Sequence, residues 1–302
     1  MGHDHAHGAG VRHRGRLLAV LGLTLLVLVV QVVVGAMTGS LALLADAGHM
    51  LSDSVGLVLA LGAIAVAQRP GGARHTYGVH RTEVLAAGAN GLILLGICAV
   101  IALNAVRRLD DPPPIDGGPV LAAGAVGLVV NIVGLLVLRA GARESLNVRG
   151  AYLEVLGDAL GSVAVIVSAV VIVSTGWHVA DPIASLVIAA LVVPRAVSLL
   201  RDVAEVLLES SPRDVDLDEL RQHILGVAGV VDVHDLHVWT ITSGMPVMSA
   251  HVVVDETVTD MGEAHGVLDR LTACLSDHFD VAHSTFQIEP AGHVEPEGHA
   301  HR

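Results

Sequence analysis

"GAYLEVLGDALGSVAV", residues 150–165, carries the Leu, Val and Ala of a membrane helix and, one helical turn apart, Glu154 and Asp158. An ionisable side chain within a span costs roughly 2.5–3.5 kcal/mol to insert, so it faces a protein interior or a water-filled cavity. Residues i and i+4 share a helix face, which makes Glu154 and Asp158 a two-ligand half-site. "LLADAGHMLSDSVG", residues 43–56, repeats the spacing with His49 and Asp53 and adds Asp46. Gly56 and Gly161 each follow the Asp of their pair by three residues. With the two helices facing each other, one imidazole and three carboxylates converge, a set that suits tetrahedral coordination of a divalent transition metal. Asp46, at i, i+3 from His49, reads equally as a cap, a gate or a ligand.

The rest of the chain shares this apolar character. Its 302 residues are 53% hydrophobic with a mean hydropathy of +0.66, too apolar for a soluble globular protein. Apolar runs of about 20 residues match a bilayer core, and six spans can be drawn: 16–37, 41–67, 82–106, 119–139, 151–174 and 181–200. The first lacks a small-residue cleavage site and is closely followed by the second across Thr38-Gly39-Ser40, so it reads as a retained helix. Aromatic residues are scarce and there are 33 glycines, which let helices approach closely in lipid. Cys98 and Cys274 offer neither a disulfide framework nor a CxxC clip.

Charge fixes an expected orientation. Every basic residue is Arg, and residues 202–302 hold 19 Asp and Glu against 4 Arg, which excludes nucleic acid as a partner. With both termini cytosolic, Arg12, Arg14, Arg16, Arg69, Arg74, Arg139, Arg143, Arg149 and Arg201 fall inside, and Arg107 and Arg108 outside. From Pro212 the pattern changes. "VDLDELRQHILG" has helical period, "VVDVHDLHVWTI" and "MPVMSAHVVV" alternate as strands around a Ser243-Gly244 turn, and a second helix and a last strand follow. This order predicts an α+β domain of ferredoxin-like type. The expected organisation is a His-rich disordered tail at 1–15, a six-helix transmembrane domain at 16–208, a cytosolic ferredoxin-like metal-binding and dimerisation domain at 209–290, and a second His-rich disordered tail at 291–302.

Three carboxylates in one low-dielectric site cannot all stay ionised without a counter-charge, so metal and protons compete for them. Alternating exposure of such a site to the two sides of a membrane makes a metal/proton antiporter. An intramembrane metalloenzyme would need a catalytic base and an open metal position, and the chain has no HExxH. A membrane-anchored metal sensor would leave the matched half-sites unexplained.

"GSLALLADAGHMLSDSVGLVLA", "HTYGVHRTEVLAAGANG", "LEVLGDALGSVAVI" and "VHDLHVWTITSGMPVMSAHVV" occur in order. Together they resemble the cation diffusion facilitator family, on its zinc, cadmium and cobalt efflux branch, from about residue 15 to 290. The resemblance implies a homodimeric metal/proton antiporter of the inner or plasma membrane, with six membrane helices, no enzymatic activity and no resident cofactor. Zn²⁺ is the first choice of cargo. The zinc branch carries His-x-x-x-Asp in both the second and fifth helices, and here Glu154 stands at the fifth-helix His. The harder donor set leans toward Mn²⁺, Fe²⁺ or Co²⁺, and Cd²⁺ belongs to the same branch.

Further residues follow from the resemblance alone. It puts cytosolic metal ligands at His234, His251 and His283, with His265 as another, although its further Asp is Thr285 here. His75 matches a loop position that binds an additional metal, and Arg81 and Glu209 match a charge pair tying the membrane and cytosolic domains. Read from the residues themselves, Glu83 is a capping or interfacial charge, Asn90 and Asn131 are interhelical hydrogen-bonders, and the His-rich ends capture metal loosely.

Overall fold

The structure, a computed structural model, describes residues 6–67, 74–139, 146–278 and 283–292. Six long helices come first: α1 (Ala6–Thr38), α2 (Leu41–Ala67), α3 (Arg81–Arg107), α4 (Gly117–Leu138), α5 (Leu146–Thr175) and α6 (Ala180–Leu207). Unbroken Leu, Val and Ala runs have only the helix as a way to satisfy their backbone in lipid. Turn chemistry separates them: Gly39 and Gly176 adopt positive φ after α1 and α5, and Asp116 caps α4 by accepting from Gly118 N at 3.1 Å. α1 begins at Ala6, so residues 6–15, expected as part of a tail, are helical. The stretch 6–15 contains Ala and Arg and no proline, and lets the apolar helix run on toward the N-terminus. The His-rich residues 293–302 lie outside the described residues.

Among the described residues, five helices are long and apolar enough to cross a membrane: Val20–Thr38 of α1, α3, α4, Val148–Thr175 of α5, and α6. The chain divides into two compact units, residues 1–62 with 86–200, and residues 63–85 with 201–302. In the first unit α4 packs against α5 and α1 through a buried stripe of Gly117, Val120, Gly124, Gly127, Asn131 and Gly134. Along this stripe Gly127 is the tightest point for polar neighbours, since a Cβ there would meet Gln31 Nε2 and Ser162 Oγ at 3.1 Å. Leu92, Val100 and Leu103 of α3 point outward, as lipid-facing residues do.

The second unit contains α7 (Leu217–Leu225), β1 (Val230–Thr240), β2 (Pro246–Val254), α8 (Met261–His278) and β3 (His283–Pro290). The sheet order is β1-β2-β3, with β1 antiparallel and β3 parallel to β2. A parallel neighbour needs a crossover, and α8 supplies it. The β1–β2 turn contains Gly244 at φ +72°, as the Ser243-Gly244 signal predicts. Leu220, Val233, Met248, Val252, Val267 and Leu271 form the core beneath one face of the sheet. The other face carries the histidines.

Candidate metal centre

α2 and α5 bring His49, Asp53 and Asp158 together, with one ligand atom from each lying within 4.8 Å of the others. His49 Nε2 is 3.7 Å from both Asp53 Oδ2 and Asp158 Oδ1. His49 and Asp158 are buried, while Asp53 is 29% exposed and forms the open wall. Buried polar atoms are almost always hydrogen-bonded, yet Asp158 Oδ1 finds no hydrogen-bond partner among the described residues. A lone pair left unbonded beside an imidazole and a second carboxylate is ready for a cation.

Asp46 lies outside this group and is held elsewhere. Its Oδ2 accepts from Gln31 Nε2 of α1 at 2.6 Å and from Ser162 Oγ of α5 at 3.4 Å. Asn131 Nδ2 of α4 donates to Ser162 Oγ at 3.3 Å. All four side chains are buried, so the network locks α1, α2, α4 and α5 beside the metal group. Asn90 makes the other interhelical bond read from the sequence, its Oδ1 accepting from Ser52 Oγ at 3.2 Å. The start of α2 is fixed by Asp181 of α6, which accepts from Leu41 N at 2.7 Å, from Ala42 N at 3.3 Å and from Ser40 Oγ. A carboxylate at a helix N-terminus satisfies otherwise orphaned N–H groups.

Glu154 is not brought into the group. Its Oε1 accepts from Arg195 Nη2 of α6 at 2.6 Å, and both side chains are about half exposed. The physical reason is direct: a guanidinium within reach is a stronger partner for a carboxylate than neighbouring carboxylates are. Sequence reading missed Arg195. The signal was an ionisable residue inside the apolar run "ALVVPRAVSLL".

In the second unit His234 and His251 sit opposite each other on β1 and β2, with rings 5.3 Å apart. Glu289 completes their group: its carboxylate oxygens lie 3.0 Å from His251 Nδ1 and 3.4 Å from His234 Nε2. A register shift between His234 and His237, with Asp235 at φ +51°, turns Asp235 toward His237 Nε2 at 2.9 Å and His251 Nε2 at 3.8 Å. His283 and His265 stand apart. His251 registers with Gln287, and His283 lies four residues back along β3, about 13 Å at 3.3 Å per residue. Its ring meets Tyr77 edge-on at 6.1 Å. His265 is exposed on α8, 3.8 Å from Asp269. His75 is exposed and belongs to neither group.

Arg81 and Glu209 do meet, with Arg81 Nη2 donating to Glu209 Oε1 at 2.7 Å. Glu83 accepts from Thr242 Oγ1 at 3.0 Å. Glu209 adopts φ +57° at the end of α6, where Ser210 N donates to Glu205 O at 3.0 Å. This is a helix stop usually made by glycine.

Comparison with known proteins bears on these sites together. Residues 17–208 match the family model for the cation efflux transmembrane domain, and residues 212–291 match that for the cation efflux protein cytoplasmic domain. The chain is 44% identical over 290 residues to the metal cation efflux system protein CzcD of Cupriavidus metallidurans, covering 96% of this chain and 90% of that one. It is 40% identical over 295 residues to zinc transporter ZitB of Escherichia coli, covering 96% and 93%. It is 37% identical over 295 residues to the cadmium, cobalt and zinc/H⁺-K⁺ antiporter of Bacillus subtilis, covering 97% and 93%. With both domains matched in order, the chain belongs to the cation efflux, or cation diffusion facilitator, family on its zinc, cadmium and cobalt branch, and is a multi-pass membrane transporter of divalent metal cations rather than an enzyme.

Proposed function

We propose that the protein exports Zn²⁺ from the cytosol in exchange for protons, by alternating access of a site made of His49, Asp53 and Asp158, with Glu154 as a fourth ligand. The carrying observation is the buried approach of His49 Nε2 to Asp53 and Asp158 at 3.7 Å each, with Asp158 Oδ1 unbonded among the described residues. One imidazole with carboxylates binds Zn²⁺, Co²⁺ and Cd²⁺, and also accommodates Mn²⁺ and Fe²⁺. The His of the zinc pattern at position 49 and the zinc in the names of these relatives favour Zn²⁺. Proton exchange follows from charge: carboxylates relieved of a divalent cation need another counter-charge, and the proton is the one at hand. The name of the Bacillus subtilis relative, an antiporter, supports this reading.

The fold that serves this function is six membrane spans, α1 to α6, followed by a cytosolic ferredoxin-like module. The Arg distribution and the match of residues 212–291 to a cytoplasmic domain support cytosolic termini and a place in the inner or plasma membrane. The designation of that domain model, ZT_dimer, supports a homodimer. His234, His251 and Glu289 form a second, cytosolic metal group, and the Arg81–Glu209 pair braces the ends of α3 and α6 against each other.

Uptake into proteoliposomes from a panel of divalent metals, with and without a pH gradient, tests the reading. Asp158→Ala is expected to abolish uptake while the cytosolic domain stays folded; undiminished uptake sinks the site. Uptake indifferent to the pH gradient sinks the exchange. Glu154→His is expected to move selectivity toward Zn²⁺ and away from Mn²⁺ and Co²⁺.

A further inference from the structure

Glu154 shares the α5 face of Asp158 at i, i+4, and a resident cation already holds it: Arg195 Nη2 lies 2.6 Å from its Oε1. One carboxylate is thus offered to two cations, a guanidinium and a transported metal. The pair is placed to exchange partners. Glu154 and Arg195 are 49% and 44% exposed, against 6% for Asp158. A Cβ added at Gly150 or Gly157, which flank Glu154 on α5, meets nothing within 4 Å among the described residues. A charged pair at this depth of a membrane helix faces water or protein, not hydrocarbon. Pro194, immediately before Arg195, sits inside α6. Its missing N–H removes one helix hydrogen bond and gives α6 a soft point where Arg195 is attached.

We propose that Arg195 competes with the transported metal for Glu154, and is therefore a positioning residue that sets metal affinity and release. When the guanidinium holds Glu154, the metal keeps only His49, Asp53 and Asp158. When the metal takes Glu154, Arg195 is left to water. Return of Glu154 to Arg195 strips one ligand from the metal and speeds its departure. This rests on the reading of His49, Asp53 and Asp158 as the transport site.

The test uses the full-length protein, with Zn²⁺ binding followed by calorimetry and Zn²⁺ uptake followed in proteoliposomes. Arg195→Gln is expected to lower Kd and KM roughly fivefold, within the range of coupled pairs, and to lower kcat as release slows. Arg195→Met serves the same end should the Gln variant fail to reach the membrane. Arg195→Lys is expected to return KM and kcat toward wild type, because an ammonium can make the single contact. In a Glu154→Gln background the tightening from Arg195→Gln should shrink. A fall in kcat with KM unchanged or raised, and no rescue by Lys, overturns the proposal, as does equal tightening in both backgrounds. Asp158→Ala keeps the two ideas apart. If it still transports, the site reading fails; if it is inert while Arg195→Gln does not tighten binding, the competition alone fails.

Discussion

Gly161 of α5 passes so close to Asp46 of α2 that a Cβ on it would overlap the carboxylate. The glycine is what lets Asp46 lie between α1 and α5 and accept from Gln31 and Ser162. Gly161→Ala should push Asp46 off Gln31 and cost about 1–3 kcal/mol, as overpacking does. Thermal unfolding in detergent reads the loss, and metal uptake should fall with it. Gly96→Ala on α3, where a Cβ meets nothing within 4 Å among the described residues, is the matched control and should leave both unchanged.

Asp181→Ala removes the acceptor for Leu41 N, Ala42 N and Ser40 Oγ at the start of α2. Buried donors left without a partner cost about 1–3 kcal/mol each in desolvation. The melting temperature should drop, and Asp181→Asn should recover part of it because one carbonyl oxygen remains. An Ala variant as stable as wild type would show that the cap carries no weight.

For the cytosolic group, Glu289 is the residue to change. In full-length Asp158→Ala protein, whose membrane site is disabled, metal bound per chain reports the remaining groups. Adding Glu289→Gln should weaken that binding by at least about tenfold, since even outer-shell partners of metal ligands are worth that much. Adding His283→Ala instead should leave it near its starting value. The reverse order would move the site to the far end of β3.

Stability and transport should part company at Glu209. Relief of its left-handed backbone by Glu209→Gly is worth roughly 1–2 kcal/mol, while an exposed ion pair with Arg81 contributes about 0–1 kcal/mol. Thermal stability should therefore hold or rise, and uptake should slow because the pair is gone. Arg81→Ala should slow uptake in the same way without the gain in stability. Unchanged uptake in both variants would remove the pair from any account of transport.

The helices and the pairing of His49 with Asp53 are legible in the sequence because both follow from local rules, whereas the approach of Asp158 from α5 is set by packing. A long apolar run must satisfy its own backbone, and i, i+4 spacing fixes which side chains share a face. Glu154 obeys the same spacing and is held by Arg195, which comes from a different helix whose position only packing decides. The cytosolic group shows the same limit. A regular hairpin about Gly244 sets Val252 opposite His234, and only the register shift between His234 and His237 brings His251 there; Glu289 in turn depends on the parallel register of β3, set by a crossover through α8. Strand alternation alone puts His283, Thr285, Gln287 and Glu289 on one face; which of the four arrives beside His251 is a matter of register.

The cap on α2 has a mechanical side. Asp181 joins the first turn of α2 to the first turn of α6, so that end of α2 behaves as a fulcrum. His49 lies eight residues past Leu41, about 12 Å along the axis at 1.5 Å per residue. A swing of about 10° around the fulcrum carries the imidazole about 2 Å by that lever arm. Its present separation from either carboxylate is 3.7 Å, so a tilt of that size spans the difference between a gathered ligand set and a scattered one. At the proposed site, loading and unloading then need no unfolding of α2, only a small tilt about its Asp181 end that the Asp46 network with Gln31 and Ser162 must follow.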